Sequence, residues 1–483
     1  MLASTVERFA SRPALVESSR RRSWGEVAVD VERRSASLAA RGVGPGDAVA
    51  IVLGNDADFV TTFLAAVSLG AVAVPLNPLF TPAELGRHLQ ECDVAGVVTT
   101  PALRPAVTDW AAGSRGVWLA EASALDSAGS AAPAACRPEQ PALHAFSSGS
   151  TGMPKGIVRT QANLAHEANQ FFDTVGVGED DVILTSIALF HAHGLGNCVL
   201  AAVRSGACLV LLDPFRRDEA LGAIERERVT VFPAVPFLVH TLAETRRAAR
   251  AGTGSLRLCF TAGAPLSRET FDLFRERLGV PVRQLYGCSE AGSVTINLDD
   301  DAAGTAASVG RPMKGIDLRV VGENGETCGP GGTGEVIFAS PALAAGYVGG
   351  ASDANDAFRD GWFRTGDLGH LDEAGNLFVT GRTKLFISTS GYKVDPFEVE
   401  NVLRRHAAVA DVVVVGTEGP LGDEIVKAVV VRTQGGSDDD TLRGELVASC
   451  RAQLAVYKVP RMVEFRFEIP RSPLGKILRK YLV

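Results

Sequence analysis

Short apolar runs alternate with helical patterns along the first two-thirds of the chain. AVAIVLGN at 48–55 reads as a buried strand, 56–69 as a helix and AVAVPLNP at 71–78 as the next strand. Thr81-Pro82-Ala83-Glu84 has the form of a helix start: a hydroxyl cap, proline at the first helical position, and a carboxylate three residues on. AGVVTT at 95–100 follows as a strand, and the beat recurs at ACLVLL (207–212), VTVFPAV (229–235), LRLCFTAG (256–263) and VRQLYG (282–287). Strands separated by helices predict parallel βαβ units and an α/β fold. The stretch 114–141, rich in Ala, Ser, Gly and Pro, reads as a surface connection. From 322 to 381 short strands and Gly/Asp/Asn turns predict a small β-rich unit. The last hundred residues predict a compact α+β domain: helices around 396–406 and 440–453, with strands in VADVVVVGTE, IVKAVVVRT and MVEFRFEIP. The expected division is a large N-terminal domain, 1–383, and a small C-terminal domain, 384–483.

Composition narrows the picture. A chain of 483 residues with 46% hydrophobic and 22% charged residues is a globular protein of two or more domains. Its net charge of −8 argues against a nucleic-acid partner but not against phosphate ligands, which need only local cations. Of the 48 basic residues only 8 are lysines, so a lysine inside a motif carries more information. The arginine and alanine bias fits a GC-rich, bacterial genome. The eight cysteines (92, 136, 198, 208, 259, 288, 328 and 450) form no C-x-x-C pair, which predicts reduced thiols and no zinc site. The N-terminus carries Glu7 and Arg8 where a signal peptide needs an apolar run. The uncharged stretches 60–83 and 182–203 are interrupted by Gly, Pro, Asn or His and do not read as membrane spans. A cytoplasmic location is expected.

The strongest chemical signal is Phe146-Ser147-Ser148-Gly149-Ser150-Thr151-Gly152-Met153-Pro154-Lys155-Gly156. Glycines admit a phosphate close to the backbone, hydroxyls and N–H groups donate to its oxygens, and lysine supplies charge. Alone, such a cluster is more often a polar turn, and it is not a Walker A loop, because Gly156 follows the lysine. Four further segments appear in order: Tyr286-Gly287-Cys288-Ser289-Glu290, Trp362-Phe363-Arg364-Thr365-Gly366-Asp367, Gly381-Arg382-Thr383-Lys384 and Pro473-Leu474-Gly475-Lys476.

In this order and spacing the five segments resemble the adenylate-forming superfamily, and most closely its acyl- and aryl-CoA synthetases. The resemblance implies a two-step reaction. A carboxylate attacks the α-phosphate of ATP to give acyl-AMP and pyrophosphate, and the thiol of coenzyme A then displaces AMP. ATP, Mg²⁺ and coenzyme A are the implied cofactors, with phosphopantetheine on a stand-alone carrier protein, acting in trans, as the alternative acceptor. An ADP-forming kinase or NTPase and a non-catalytic binding protein on the same fold are the rival classes. The first lacks its Walker A residue, and the complete motif set argues against the second.

Residue roles follow from the same resemblance. Ser147, Ser148, Gly149, Ser150, Thr151, Gly152 and Lys155 correspond to the loop that holds the β- and γ-phosphates, with Thr151 and Glu290 near the magnesium. Tyr286 corresponds to the ring stacked on adenine, flanked by Leu285, Gly287 and Ser289, and Gly263-Ala264-Pro265 to the turn beside it. Asp367 matches the carboxylate that accepts the ribose hydroxyls, and Arg382 a further ribose and phosphate contact. Lys476 corresponds to the lysine that bridges substrate carboxylate and phosphate. Lys384 falls at the hinge on which the C-terminal domain is expected to rotate, and Gly391 at the glycine lining the pantetheine tunnel. His191 matches the gate of the acyl pocket, whose further candidates are His193, Gly194, Asn197, Thr261, Gly263, Gln284, Cys288, Gly292 and Ser293. No acid occurs between 182 and 203, so an α-amino acid substrate is not expected: its ammonium would be buried unpaired. An apolar, aryl or bulky polycyclic acid is.

Overall fold

The computed structural model describes residues 1–114, 116–125, 134–147, 155–244, 252–322, 324–350, 357–382, 386–419, 423–433, 438–470, 477 and 479–483, the side chains of 147, 155, 350, 382 and 480 excepted. The chain divides into two compact units. One comprises Met1–Pro78, Leu89–Phe146 and Gly156–Thr383, and the other Leu79–His88, Ser147–Lys155 and Lys384–Val483.

Two large sheets organise the first unit. In one, Leu258–Thr261 lies between Val231–Ala234 and Val282–Cys288, all parallel, and Gly292–Ile296 turns back antiparallel on the last. In the other, Ala48–Ile51 lies between Val72–Pro75 and Val94–Thr99, again in parallel. The runs that read as continuously apolar are buried on both faces, as parallel strands under helices must be. Helix Ala57–Ser68 starts at Asp56, whose carboxylate accepts from the Phe59 amide at 2.8 Å. Helix Pro82–Glu91 starts at the predicted capping box, with the Glu84 carboxylate accepting from the Thr81 amide at 2.8 Å.

The structure adds elements in two stretches. The connection at 114–141 contains a strand, Trp118–Glu121, parallel to Val94–Thr99. Gly96 stands opposite Trp118, and a Cβ on it would come 2.0 Å from the indole, so the glycine exists to seat that ring. The segment 182–203 begins with the strand Val182–Thr185, and from Ala192 it is helical, with a π turn over Leu195–Leu200 whose six residues are all buried. Glycines at 194 and 196 argue locally against a helix, and burial overrides them. The expected β-rich unit is an antiparallel sheet of Asp317–Val321, Gly334–Ala339, Phe358–Arg359, Trp362–Leu371 and Leu377–Arg382 around its own core, which includes Val336, Phe338 and Phe363.

The second unit pairs Val409–Glu418 antiparallel and Met462–Arg466 parallel with Glu424–Arg432, under helices Pro396–Leu403 and Asp439–Gln453. A hairpin of Ile387–Thr389 and Tyr392–Val394 turns on Ser390 and Gly391, with φ of 48° and 87°. Both central residues lie in the left-handed region that a two-residue hairpin of this hand requires. That accounts for the glycine and for the small polar residue before it.

Gly310 joins the β-rich sheet to the strand Arg311–Pro312 through a bridge to Leu377, at a φ of 84°, and a Cβ there would stand 2.0 Å from the Ile296 carbonyl oxygen. Gly375 has a similar φ, 81°, and open space around it. Gly375→Ala is therefore expected to cost about 1 kcal/mol through strain alone. Gly310→Ala should cost about 2 kcal/mol more, because backbone cannot retreat. Denaturant midpoints of the two variants check this, and equal losses would contradict it.

Candidate active site

The strand Val282–Cys288 and its return Gly292–Ile296 carry most of the candidate chemistry. Their register shifts between Tyr286 and Gly287, and a Cβ on Gly287 would meet the Gly292 carbonyl oxygen at 2.2 Å. The two backbones can approach this closely only because Gly287 has no side chain. Leu285 points into the main core.

On the nucleotide side of the prediction, the Tyr286 hydroxyl donates to Asp367 Oδ2 at 2.6 Å. Burial, reinforced by the Asp367 carboxylate, holds the phenol well above its ordinary pKa, so it stays protonated and remains a donor. Asp367 is itself buried, and its amide donates to Thr365 Oγ1 at 2.9 Å, while that threonine hydroxyl donates to the Val336 carbonyl. Arg382 stands directly opposite Asp367 in the ladder between Trp362–Leu371 and Leu377–Arg382. Gly263 takes the turn after Leu258–Thr261 at a φ of 91°, leaving Gly263 and Pro265 exposed and Ala264 half-buried.

Glu290 is buried, and its Oε1 accepts from the Tyr347 hydroxyl at 3.1 Å. Tyr347 belongs to the short strand Gly346–Tyr347, which pairs with Lys155–Thr160. The strand that leaves the Ser147–Lys155 segment is thus tied through Tyr347 to the one carboxylate predicted to approach magnesium. Gly156 seals the same junction: its amide donates to Glu91 Oε1 at 3.2 Å, and a Cβ there would touch Val348 at 2.8 Å. Tyr347 was not legible in the sequence, because it lies 57 residues from its partner. Among the described residues no cluster of three or more His, Cys, Asp or Glu is arranged to hold a metal. A single hard carboxylate, with one oxygen given to Tyr347, fits an ion that takes most of its ligands from phosphates and water.

The acyl-pocket candidates fall into two groups. His193, Asn197 and Ser293 form one chain: His193 Nε2 to the Ala234 carbonyl at 2.9 Å, Asn197 Nδ2 to His193 Nδ1 at 2.8 Å, and Ser293 Oγ to Asn197 Oδ1 at 2.7 Å. A carbonyl can only accept, so Nε2 carries the proton and Nδ1 accepts. The imidazole is neutral, its pKa pushed by burial to about 4. His191 is exposed and caps the helical turn that follows, its Nδ1 accepting from the His193 amide at 3.4 Å. Gly194 and Gly292 stand beside this chain, and Gly194 presses on Ala188, whose oxygen would lie 2.2 Å from a Cβ. Gln284 and Cys288 are engaged elsewhere. Gln284 Oε1 accepts from the Leu266 amide, and its Nε2 donates to the Ala306 carbonyl at 2.7 Å, which braces the 263–266 turn. Cys288 packs with Tyr286 against the β-rich core, and burial raises its thiol pKa far above the ordinary value. Thr261 is buried, with its hydroxyl unpaired among the described residues. Ser148, Gly149, Ser150, Thr151, Gly152, Lys384 and Lys476 lie outside the described residues, and Ser147, Lys155 and Arg382 are placed by backbone alone.

The profile of the AMP-binding enzyme family matches residues 2–348, and that of its C-terminal domain residues 398–476. The chain belongs to the AMP-binding enzyme family. It is similar to indoleacetate–CoA ligase of Aromatoleum aromaticum, at 34% identity over 94% of this chain and 91% of that protein. Feruloyl-CoA synthase from an Amycolatopsis species is also 34% identical, covering 95% of this chain and 92% of its own. A solved structure of o-succinylbenzoate CoA synthetase from Bacillus subtilis, 28% identical, superposes with a TM-score of 0.90 over 100% of this chain and 97% of that one. This AMP-binding enzyme is accordingly an adenylate-forming acid–thiol ligase with the expected α/β architecture. No described helix is long and apolar enough to cross a membrane.

The neutral histidines make stability depend on pH. Burial depresses His193 and His144 to about 4, against 6.5 in an open chain. A depressed base leaves the unfolded state binding more protons, so stability is full above pH 6.5 and falls toward pH 4. Asp56, raised by burial to about 6, works in the opposite sense and offsets part of the fall. His144→Gln should therefore shrink the loss of unfolding free energy between about pH 7 and pH 5 by about 1–2 kcal/mol. An unchanged pH slope would contradict the assignment.

Proposed function

We propose that this enzyme converts an aryl or similarly apolar carboxylic acid to its acyl-adenylate at a Mg²⁺–ATP site and then passes the acyl group to the thiol of coenzyme A. The carrying observation is that one hairpin, 282–296, presents Tyr286 and Glu290 with their long-range braces and, on its return strand, Ser293 of the neutral His193–Asn197–Ser293 chain. A carboxylate and an α-phosphate meet where those two sets of groups converge.

In this reading Asp367 accepts the ribose hydroxyls and Tyr286, held by that carboxylate, stacks on adenine. Glu290 and Thr151 approach magnesium, which neutralises charge on the triphosphate, while Ser147 to Lys155 hold its outer phosphates and Arg382 adds a cation. Lys476 bridges the attacking carboxylate and the α-phosphate. Charge neutralisation at fixed groups supplies most of the rate, because phosphoryl chemistry offers little else to stabilise. The segment from Lys384 onward is proposed to rotate between the half-reactions and to bring Gly391 to the thiol channel. Free coenzyme A is the preferred acceptor on the strength of relatives named as CoA ligases. A cytoplasmic, bacterial setting fits the composition.

Amino acids remain poor candidates, for a reason the linear sequence does not contain. An acid does reach the region, Glu167 from helix Gln161–Val175, but Arg159 already neutralises it at 2.9 Å. A substrate ammonium would find no spare negative charge there among the described residues. Pyrophosphate release across aliphatic, aryl, polycyclic and amino acids tests this. Aryl acids should give the highest rates, and a standard amino acid exceeding every apolar acid would overturn the reading.

Lys476→Ala should lower adenylation by about 10²–10³-fold, the cost of one lost electrostatic contact in a transition state. Supplied with preformed acyl-adenylate and coenzyme A, the same variant should make thioester at near the parental rate. Equal losses in both half-reactions at an unchanged melting temperature would refute the adenylation-specific role.

Gly391→Leu should impair thioester formation more than adenylation. Gly391→Ala serves as the control for turn strain, since both variants pay for the positive φ but only leucine adds bulk. Equal defects in the two variants would refute a channel role.

A further inference from the structure

A charged pair lies buried where the acyl-pocket candidates gather. Arg159, on the strand Lys155–Thr160, and Glu167, on the helix Gln161–Val175, are 1% and 4% exposed. Arg159 Nη2 donates to Glu167 Oε2 at 2.9 Å. Glu167 Oε1 and Arg159 Nε have no hydrogen-bond partner among the described residues. The surrounding backbone leaves room for that oxygen: a Cβ on Gly196 would stand 1.9 Å from Oε1, and one on Gly292 2.0 Å from it. Gly196 lies in the π turn that follows His191, and Gly292 opens the strand that carries Ser293. The pair borders a cavity of about 10 Å³ that is also walled by Phe190, Leu195 and Ser289. A space of this size takes a single water-sized polar group at the edge of a ring, with the body of the ring outside it.

A structural ion pair accounts for one carboxylate oxygen. It does not account for the other, a strong acceptor stripped of water, whose desolvation is uncompensated until a donor reaches it. Arg159 already balances the charge, so the missing donor is neutral. We propose that Glu167 is a specificity-determining residue of the acyl site, its Oε1 accepting a hydrogen bond from a neutral donor on the substrate ring, a phenolic hydroxyl or a ring N–H. The preferred acids are then aryl acids that carry such a donor. This rests on the acid–thiol ligase reading above and narrows its substrate class.

The test compares matched acids for pyrophosphate release: phenylpropenoic acid against its ortho-, meta- and para-hydroxy derivatives, and indoleacetic acid against naphthaleneacetic acid. In the wild type, at least one donor-bearing acid should exceed its plain counterpart by about ten- to a hundredfold in kcat/KM, the usual range for a hydrogen bond to a charged group. The double variant Arg159→Met/Glu167→Leu removes both charges at similar volume. It should bring that ratio to within about threefold. Glu167→Gln offers a second arm with little steric change. Its amide oxygen turns to Arg159 and its NH₂ to the cavity, so the ring N–H acid should lose about tenfold against its carbocyclic counterpart. Melting temperatures confirm folding, and whichever variant folds decides the matter. Equal turnover of both classes by the wild type, or an unchanged ratio in the variants, overturns the proposal and leaves the ligase reading standing. A wild type that turns over none of these acids overturns both.

Discussion

The close approach of Gly287 to the Gly292 backbone is the constraint on which the candidate site depends. With 2.2 Å between an imagined Cβ and the facing oxygen, no other residue fits at position 287 without moving the strand. The tight return fixes what its neighbours can do. Tyr286, one residue before it, reaches Asp367 in the β-rich sheet. Glu290, in the bend, reaches Tyr347. Ser293, on the way back, reaches Asn197 in the π turn. One local backbone geometry therefore aligns groups drawn from three separate stretches of the chain. An adenylate-forming enzyme needs such an arrangement, since its catalysis rests on positions and fixed charges more than on bond-making by the protein.

The polar groups around that hairpin are held in definite states by their partners. The Tyr286 phenol stays protonated because burial and the Asp367 carboxylate both oppose its ionisation. His193 stays neutral because its ring is buried and the Ala234 carbonyl takes its only proton. Each group is then a donor or an acceptor of known sense before any ligand arrives, which spares reorganisation when charge develops. Glu167 Oε1 is different: it has no hydrogen-bond partner among the described residues.

The fold was legible wherever a local rule determined it. Continuous apolar runs became doubly buried strands, and the Thr81–Glu84 box became a helix start. The strand Trp118–Glu121 escaped notice because it is short, half-buried and embedded in small residues, so its pairing with Val94–Thr99 leaves no periodic mark. The π turn escaped because its glycines speak against any helix, and only packing against the core compels one. Candidate site residues divide in the same way. Motifs announced Tyr286, Glu290 and Asp367, but nothing near 290 announces Tyr347, and nothing near 182–203 announces Glu167. Braces and counter-charges are made across the fold, between positions that share no spacing. Gln284 shows the reverse: a residue read as pocket-facing gives its side-chain amide to the Leu266 amide and the Ala306 carbonyl.

The central claim is that the hairpin brings a carboxylate and the α-phosphate of ATP into bonding distance. Oxygen transfer tests it most directly. An accepted aryl acid labelled with oxygen-18 in both carboxylate positions is turned over with unlabelled ATP and coenzyme A, and the products are weighed by mass spectrometry. Attack of the carboxylate on the α-phosphorus forms an O–P bond that survives when the thiol later cleaves the acyl C–O bond. The account predicts one labelled oxygen in AMP, one in the thioester carbonyl and none in pyrophosphate. Label in orthophosphate beside ADP, or unlabelled AMP, would contradict it.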